Sequence, residues 1–210
     1  MDQNKNAVEI FNKLAEAYQE KFMNVDLYAN SFQFLSNTIS IENPEILELA
    51  CGPGNITKFL LNLRPDFKIL GTDLSSNMIE LAKVNNPSAE FKIMDSREIF
   101  LLKKSFDAVI CGFLLPYLSK EESIQLIQNS ASILHPNGLL YVSTMEDECS
   151  KSGFTKGSSG DQIFMHYHQA DYLTEALKSS GFEVLKTERI ETKNEKGTVT
   201  VDLILIAKKI

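Results

Sequence analysis

The stretch ILELACGPGN, at residues 46–55, decides the fold class of this chain. A run of large aliphatic residues ends in a turn that contains Gly52 and Gly54, and apolar residues at helical spacing follow. Glycines allow a tight turn and close backbone approach, and the first turn of a helix presents free N–H groups. Asp73 lies nineteen residues after Gly54, at the end of the next apolar run. An acid at that place can accept both hydroxyl hydrogens of a ribose, so the pattern predicts a nucleoside site.

The rest of the chain continues this alternation of short apolar runs and amphipathic helices. The alternation predicts an α/β fold, a Rossmann-like doubly wound sheet with helices on both faces. Ser75 is expected to cap one helix, and Ser119 with Glu122 is expected to form a capping box. Length and composition predict seven strands, at residues 45–50, 68–74, 89–95, 106–113, 139–145, 182–190 and 199–207.

The end of the chain indicates how the sheet is completed. Only a handful of residues around NEKG separate the last two strands, too few for a parallel crossover. An antiparallel pair with a reversed terminal strand is therefore expected, unlike the all-parallel sheet of nicotinamide-binding Rossmann proteins. Residues 1–40 are expected to form a helical cap or lid on a core of residues 41–210, within a single domain. The small-residue cluster at 153–161 is interpreted as a mobile loop.

The composition argues against several classes of function. The chain has 210 residues and 43% of them are hydrophobic, so it can bury a full core. A net charge of -7 disfavours nucleic acid and anionic membranes as partners. The three cysteines show no metal-ligand spacing, and the sequence shows no secretory signal or bilayer-spanning run. We therefore expect a soluble, cytoplasmic protein without a metal, either a monomer or a homodimer.

Five segments together resemble the ordered motifs of class I S-adenosylmethionine-dependent methyltransferases. They span about residues 45–146, and the style is closest to the small-molecule, type 11 or type 25 branch of that family. The resemblance implies S-adenosylmethionine as cofactor, S-adenosylhomocysteine as product, and methyl transfer as the reaction. The segments are ELACGPGN, GTDLSSNMIELA, MDSREI, FDAVICGFLLPYL and LHPNGLLYVSTME.

The resemblance also implies which residues contact the methionine part of the cofactor. In the family an acidic residue and a glycine-containing turn make these contacts, and here the positions are Glu48, Ala50, Gly52 and Gly54. Ala50 replaces the usual first glycine. Alanine is accommodated there if the backbone keeps a negative φ, so we expect a mildly different turn rather than loss of the site.

For the nucleoside part, Asp73 corresponds to the ribose-binding acid and Asp95 to the acid that hydrogen-bonds the adenine amino group. Taken alone, Asp95 would also fit a helix cap, and Cys111 would fit core packing. The other positions implied around the cofactor are the lid aromatic Tyr18, Leu74 directly after Asp73, Met78 near the adenine, Met94 and Ser96 around the adenine ring, and Cys111, whose backbone carbonyl would receive the methionine ammonium. For Tyr18, packing of the apolar stripe of its helix on the sheet is an equal alternative.

Candidates for contact with the methyl acceptor lie after the fourth strand and before the last helix. Tyr117 could orient a substrate, although a wall position suits a phenol at neutral pH equally well. His166 and His168 share a face if their segment is extended, which makes them candidate catalytic residues. A metal site at this pair lacks a third ligand, and loop or capping roles remain the alternative.

The leading hypothesis is a methyltransferase acting on a small molecule at oxygen, nitrogen, carbon or a carboxylate, by in-line displacement. A non-catalytic module that binds S-adenosylmethionine or S-adenosylhomocysteine is the first alternative, since the assigned residues bind cofactor and none acts on an acceptor by itself. An NAD(P)-dependent oxidoreductase is the second. Thr57 stands where the dinucleotide pattern requires its third glycine, which argues against it.

Overall fold

The computed structural model of the chain describes residues 3–157, 160–193, 197 and 199–210, and it contains a seven-stranded mixed sheet. The strand order is β3-β2-β1-β4-β5-β9-β8, in which β9 is antiparallel to both of its neighbours. The expected Rossmann-like sheet with a reversed terminal strand is thus confirmed. The strands are β1 (Glu45–Leu49), β2 (Lys68–Asp73), β3 (Glu90–Ile93), β4 (Phe106–Cys111), β5 (Leu134–Glu146), β6 (Gly153–Lys156), β7 (Gln162–Met165), β8 (Phe182–Lys193) and β9 (Val199–Lys209).

Two of the predicted strands, β5 and β8, are longer than the sequence indicates by three residues or more. β5 begins at Leu134 rather than at residue 139, because Leu134 pairs with Phe106 ahead of the regular ladder. β8 continues to Lys193, because its whole second half pairs with β9. Apolar run length therefore underestimates strands whose ends are fixed by pairing with a neighbour.

Helices pack on both faces of the sheet, since successive strand residues point to opposite sides. Leu47 and Val109 face a core completed by α6 and α7, whereas Ile46 and Ile110 face a core completed by α3 and α4. The helices are α1 (Gln3–Lys13), α2 (Ala15–Phe22), α3 (Ala29–Thr38), α4 (Asn55–Leu63), α5 (Ser76–Asn85), α6 (Lys120–Ile133) and α7 (Ala170–Ser179).

The predicted helix caps are confirmed. The side chain of Ser75 accepts a hydrogen bond from the Met78 N–H at the start of α5. Ser119 and Glu122 form a reciprocal capping box at the start of α6. These signals are local in sequence, so they are legible before the fold is known.

Three helices, α1, α2 and α3, lie within residues 1–40. The side chain of Asn6 donates to the Gln162 carbonyl, and α2 is joined to α5 by a hydrogen bond from Asn85 to Gln19. The helices α1 and α2 thus lie near the carboxyl ends of the strands. The division into a cap of residues 1–40 and a core of residues 41–210 in one domain stays a prediction.

The interpretation of residues 153–161 as a mobile loop is wrong for the residues that the structure describes. β6 and β7 form an antiparallel hairpin, in which Phe154 and Phe164 pair across the strands with ring centroids 5.3 Å apart. An aromatic cross-strand pair of this kind stabilises a hairpin. Residues 158 and 159, and most of the NEKG turn, lie outside the described residues.

No helix in the described part of the chain is long and apolar enough to cross a membrane.

Candidate functional site

The turn after β1 adopts left-handed backbone at three positions. Gly52 and Gly54 have φ values of 53° and 77°, and Ala50 has a φ of 50°. The expectation of a negative φ at Ala50 is therefore wrong. The Cys51 N–H donates to the Thr72 carbonyl of β2 at 2.9 Å, which fixes the chain in this turn. A left-handed alanine costs roughly 1–2 kcal/mol, so the turn stores a modest strain at the site.

Gly54 has a packing role in this turn. A Cβ built there would lie 2.3 Å from the amide nitrogen of Asn86 and 3.3 Å from the Cβ of Ala82 on α5. The Asn86 amide also donates to the Gly54 carbonyl at 2.9 Å. Gly54 thus lets the turn approach α5, and it is not among the residues that line the two cavities described next.

Asp73 lies at the wall of a first cavity at the end of β2. Its carboxylate accepts the Gly52 N–H at 3.0 Å and the Ser75 N–H at 2.8 Å, one bond to each oxygen. Burial raises the pKa of Asp73, while these backbone N–H groups favour its ionised form. The cavity is lined by Val8, Phe11, Tyr18, Ala50, Gly52, Asp73, Leu74, Ser75, Met78, Met94, Ser96 and Leu114.

Helix α1 is anchored at the edge of this cavity by Asn12. The side-chain oxygen of Asn12 accepts hydrogen bonds from the Ser75 hydroxyl at 2.9 Å and from the Asn77 N–H at 2.9 Å. The Asn77 amide in turn donates to the Asn12 carbonyl at 2.8 Å. The start of α5 therefore carries both the cavity wall and the attachment of α1.

Tyr18 on α2 lines the first cavity and also a second one. Its ring packs edge-on against Phe11, with centroids 5.7 Å apart. Burial raises the pKa of Tyr18 to about 12, and the nearby Asp73 adds to this shift. The phenol therefore stays neutral at physiological pH. Tyr18 thus lies in the walls of both cavities, and its role as a lid aromatic stays a prediction.

The second cavity adjoins the first and has an empty volume of about 1600 Å³, counting its open mouth. It lies between the turn after β1, the loop after β4, the helices α1 and α2, and the start of β9. Phe113, directly after β4, has a φ of 52° and donates its N–H to the Ser143 hydroxyl at 3.0 Å. The side chains with polar groups or aromatic rings in its wall include Lys21, Tyr28, Glu48, Phe113, Tyr117, Ser143, Asp161 and Asp202.

Glu48 is a buried acid at the base of the second cavity. Its side chain is 1% exposed and accepts a hydrogen bond from the Thr57 hydroxyl. Burial raises the pKa of Glu48 to about 8, against the effect of the Thr57 hydrogen bond. A large share of Glu48 therefore carries a proton near neutral pH.

Asp95 caps the short 3-10 helix Ser96–Leu101, which is the alternative role that the sequence left open. Its carboxylate accepts the Arg97 N–H at 2.9 Å and also pairs with the Arg97 guanidinium, at 2.6 Å for the shortest contact. Asp95 is absent from the walls of both cavities, whereas its neighbours Met94 and Ser96 line the first. In this arrangement Met94 and Ser96, rather than Asp95, line the first cavity, and an adenine contact by Asp95 stays a prediction.

Cys111, at the end of β4, has its thiol in the sheet core. Burial raises the pKa of this thiol to about 12, so the sulfur stays protonated and serves packing. The adjacent Gly112 and Phe113 line the second cavity, which places the backbone at the end of β4 near that space.

Among the acceptor-side candidates, Tyr117 lines the second cavity and the two histidines do not. His168 is 1% exposed, its Nε2 contacts the Leu115 carbonyl at 2.8 Å, and its Nδ1 contacts the Tyr172 hydroxyl. Both ring nitrogens are thus engaged away from the cavity, which favours the loop or capping alternative, and an acceptor role for His168 stays a prediction. Its role is to join the segment before α7 to the loop after β4.

His166 lies nearby, and its ring centroid is 6.3 Å from that of His168. Its backbone N–H donates to the Pro116 carbonyl at 2.8 Å. Burial lowers the pKa of both histidines, which keeps the rings neutral. Within the described residues, no group of three or more histidine, cysteine, aspartate or glutamate side chains is arranged to hold a metal ion.

Residues 46–138 match the family model described as "Methyltransferase domain". This segment is a methyltransferase domain. It contains the left-handed turn and the end of β4, which contribute to the wall of the second cavity, and it contains Asp73 in the wall of the first. The fold of the chain is that of solved structures described as S-adenosylmethionine-dependent methyltransferases.

Two relatives match about half of this chain and less than half of their own length. A putative methyltransferase of Invertebrate iridescent virus 6 is 34% identical over 103 residues, covering 49% of this chain and 38% of that protein. A demethylmenaquinone methyltransferase of Thermotoga maritima is 30% identical over 112 residues, covering 52% and 49%. The chain thus spans less than half the length of these relatives.

A solved structure extends the likeness to the whole chain. Magnesium protoporphyrin IX methyltransferase from Synechocystis PCC 6803, crystallised with bound S-adenosylmethionine, has a TM-score of 0.74 at 17% identity. The match covers 100% of this chain and 98% of that chain. At this identity the comparison shows that the methyltransferase fold includes the terminal strands and the N-terminal helices.

Sequence reasoning missed Asp202 and Asn12 at this site. Asp202 is the acid within the apolar strand VTVDLILIA, and it faces the second cavity from β9. A lone acid in an apolar strand is the signal that could have identified it, because an acid at such a position is rarely buried without a purpose. Asn12 gives no comparable signal, since its partners on α5 are more than 60 residues away.

Proposed function

We propose that this protein is an S-adenosylmethionine-dependent methyltransferase that acts on a small molecule. The observation that supports this most is the position of Asp73. Two backbone N–H groups hold its carboxylate at the wall of the first cavity, next to the left-handed turn after β1. A fixed carboxylate at the end of the second strand can accept both hydroxyl hydrogens of a ribose.

The first cavity fits the nucleoside part of S-adenosylmethionine. Leu74, Met78 and Met94 provide apolar walls for an adenine ring. A Cβ built at Gly52 meets its nearest atom, a ring carbon of Tyr18, at 3.8 Å, so the backbone there is open to a ligand. When bound, S-adenosylmethionine would supply a methyl group that is attached to a positively charged sulfur. After transfer of the methyl group, the remaining S-adenosylhomocysteine is a neutral thioether.

The residues of the second cavity contribute enclosure and orientation. Tyr18 and Tyr117 close the space between the cap helices and the sheet, and Phe113 forms its wall at the end of β4. Burial raises the pKa of Tyr117, so its phenol orients a ligand rather than removing a proton. For an in-line displacement, orientation and the exclusion of water supply much of the acceleration.

A small acceptor suits this cavity better than a macromolecule. The space lies beneath α1 and α2, whose anchors Asn12 and Asn85 hold them against α5. The net charge of -7 disfavours a polyanionic partner. Some matched proteins are named as tRNA methyltransferases, so tRNA is the competing acceptor class.

The test uses S-adenosylmethionine labelled with tritium in its methyl group. The protein is incubated with a low-molecular-weight cell extract, with total tRNA or with a protein extract, in separate reactions. We expect label to pass to the low-molecular-weight fraction, and this transfer should fall strongly in Asp73→Asn. Label in tRNA or protein would contradict the small-molecule proposal, and binding of the cofactor without any transfer would favour the non-catalytic alternative.

A further inference from the structure

Asp202 places a carboxylate in the wall of the second cavity, outside the motifs of the methyltransferase domain. It lies near the start of β9 and pairs in register with Met145, near the carboxyl end of β5. The residue is 8% exposed. Its position on a central strand, flanked by β5 and β8, makes it a fixed feature of the cavity rather than of a loop.

The charge of Asp202 is only partly compensated. The Tyr28 hydroxyl donates to Oδ2 at 2.7 Å, and among the described residues Tyr28 is the donor to this carboxylate. Burial raises the pKa of Asp202, whereas the Tyr28 hydrogen bond favours its ionised form, as a bound cation would. No ion pair in the described part of the chain includes Asp202. Carboxylates that are removed from water are normally paired with a cation.

The other charged groups of the cavity do not take this place. Asp161 is paired with Lys13 at 3.2 Å, and Glu48 accepts the Thr57 hydroxyl and carries a proton in large part near neutral pH. The ammonium of Lys21 lies over the ring of Phe22, 5.0 Å from its centroid, on an exposed side chain. In the wall of the second cavity, Asp202 is thus a buried carboxylate for which the described residues supply no ion-pair partner.

Aromatic rings surround the approach to Asp202. The ring of Tyr28 lies 5.2 Å from that of Phe113 and 6.5 Å from that of Phe32, and all three residues line the cavity. Aromatic faces attract a cation through their quadrupole, and this attraction is stronger where water is excluded. A neutral ligand gains neither this attraction nor the pairing with the carboxylate.

We propose that Asp202, Tyr28 and Phe113 form a recognition site for a positively charged ammonium group on the methyl acceptor. This inference rests on the proposed function and narrows its substrate class to small organic cations. Asp202 is a specificity residue here, because it binds the charge of the acceptor and no bond to it is made or broken.

The test is calorimetric binding of matched ligand pairs to the protein, with and without saturating S-adenosylhomocysteine. The probes are benzylamine, 2-phenylethylamine and 4-phenylbutylamine, each compared with the alcohol of the same skeleton. We expect at least one amine to bind about tenfold or more tighter than its alcohol, as a charged hydrogen bond allows. In Asp202→Asn, which keeps the shape of the side chain, this preference should disappear.

Two further variants separate charge recognition from structural damage. Tyr28→Phe removes the hydroxyl but keeps the carboxylate, so the amine preference should remain. Asp161→Asn removes the same charge from the cavity rim, where Lys13 already pairs, and should also leave the preference in place. Folding of each variant is checked by its melting temperature.

The proposal is wrong if no amine binds tighter than its alcohol, if Asp202→Asn retains the preference, or if Asp161→Asn loses it to the same extent. The affinity for S-adenosylhomocysteine is a separate readout and should be the same in Asp202→Asn as in the unaltered protein. A protein that does not bind S-adenosylhomocysteine contradicts the proposed function, while the amine comparison without it still tests Asp202.

Discussion

Replacing Asp73 by asparagine should weaken the binding of S-adenosylhomocysteine while leaving the fold in place. Each carboxylate oxygen of Asp73 already accepts one backbone N–H, from Gly52 and from Ser75, and each retains a lone pair for a ribose hydroxyl. An amide keeps one acceptor oxygen, and its NH2 group cannot accept. One hydrogen bond to an ionised acceptor is therefore lost.

The loss of such a bond costs about 1.5–3 kcal/mol, which is about 10- to 100-fold in the dissociation constant. The NH2 group of the variant also faces a backbone N–H. This contact should lower the stability by about 1–2 kcal/mol, or the melting temperature by a few degrees for a chain of this length. Because aspartate and asparagine have the same side-chain shape, the substitution leaves no empty space in the packing, and neither free-energy change includes a packing loss.

The assay is calorimetric titration with S-adenosylhomocysteine, together with thermal unfolding. Asp66→Asn is the matched control, because Asp66 is paired with Arg64 at 2.7 Å and lines neither cavity. Its affinity should equal that of the unaltered protein. If Asp73→Asn binds within about threefold of the unaltered protein, less than about 0.7 kcal/mol, the ribose assignment is refuted.

Three other predictions follow from the same site. Because burial raises the pKa of Glu48 from its ordinary value to about 8, ionising it opposes folding. Between about pH 5 and pH 7, the free energy of unfolding of the unaltered protein should therefore fall by roughly 2–3 kcal/mol relative to that of Glu48→Gln. If the urea-unfolding midpoints of the two proteins change with pH in the same way, this prediction is wrong. Asn12→Ala removes the anchor of α1 on α5, so affinity for S-adenosylhomocysteine should fall by about three- to tenfold and proteolysis within α1 should increase. The control is Asn62→Ala, at an exposed position. Equal behaviour of the two variants would exclude a role for Asn12 in closing the cavity. His168→Ala should lower the free energy of unfolding by about 2–4 kcal/mol without changing cofactor affinity, because the ring is buried between Leu115 and Tyr172. A large loss of cofactor affinity in the folded variant would show instead that His168 contributes to the binding site.

Local signals made most of the fold predictable. The strand and turn of residues 46–55, the cap at Ser75 and the capping box at Ser119 each depend on residues that are close in sequence. The antiparallel pairing of the last two strands followed from the length of the connection between them, because a short connection cannot form a parallel crossover. These parts of the structure needed no knowledge of distant contacts.

The features that the sequence did not reveal depend on distant partners. The left-handed φ of Ala50 accompanies the hydrogen bond from Cys51 to Thr72, and the engagement of His168 depends on a carbonyl 53 residues away. Asp202 belongs to no motif, and its place in the cavity follows from the reversed strand and from its neighbour Tyr28. The motifs of the family thus contain most of the residues that line the first cavity, whereas Asp202 in the second cavity lies outside them.

The central claim is that the protein binds S-adenosylmethionine, with the nucleoside part in the first cavity, and calorimetric titration of the purified protein tests this binding most directly. S-adenosylmethionine and S-adenosylhomocysteine are titrated in turn, with NADH and NADPH as controls. We expect both sulfur compounds to bind at micromolar concentration, about -8 kcal/mol, and neither nicotinamide cofactor to bind. Binding of NADH or NADPH, or of none of the four compounds, would contradict the claim.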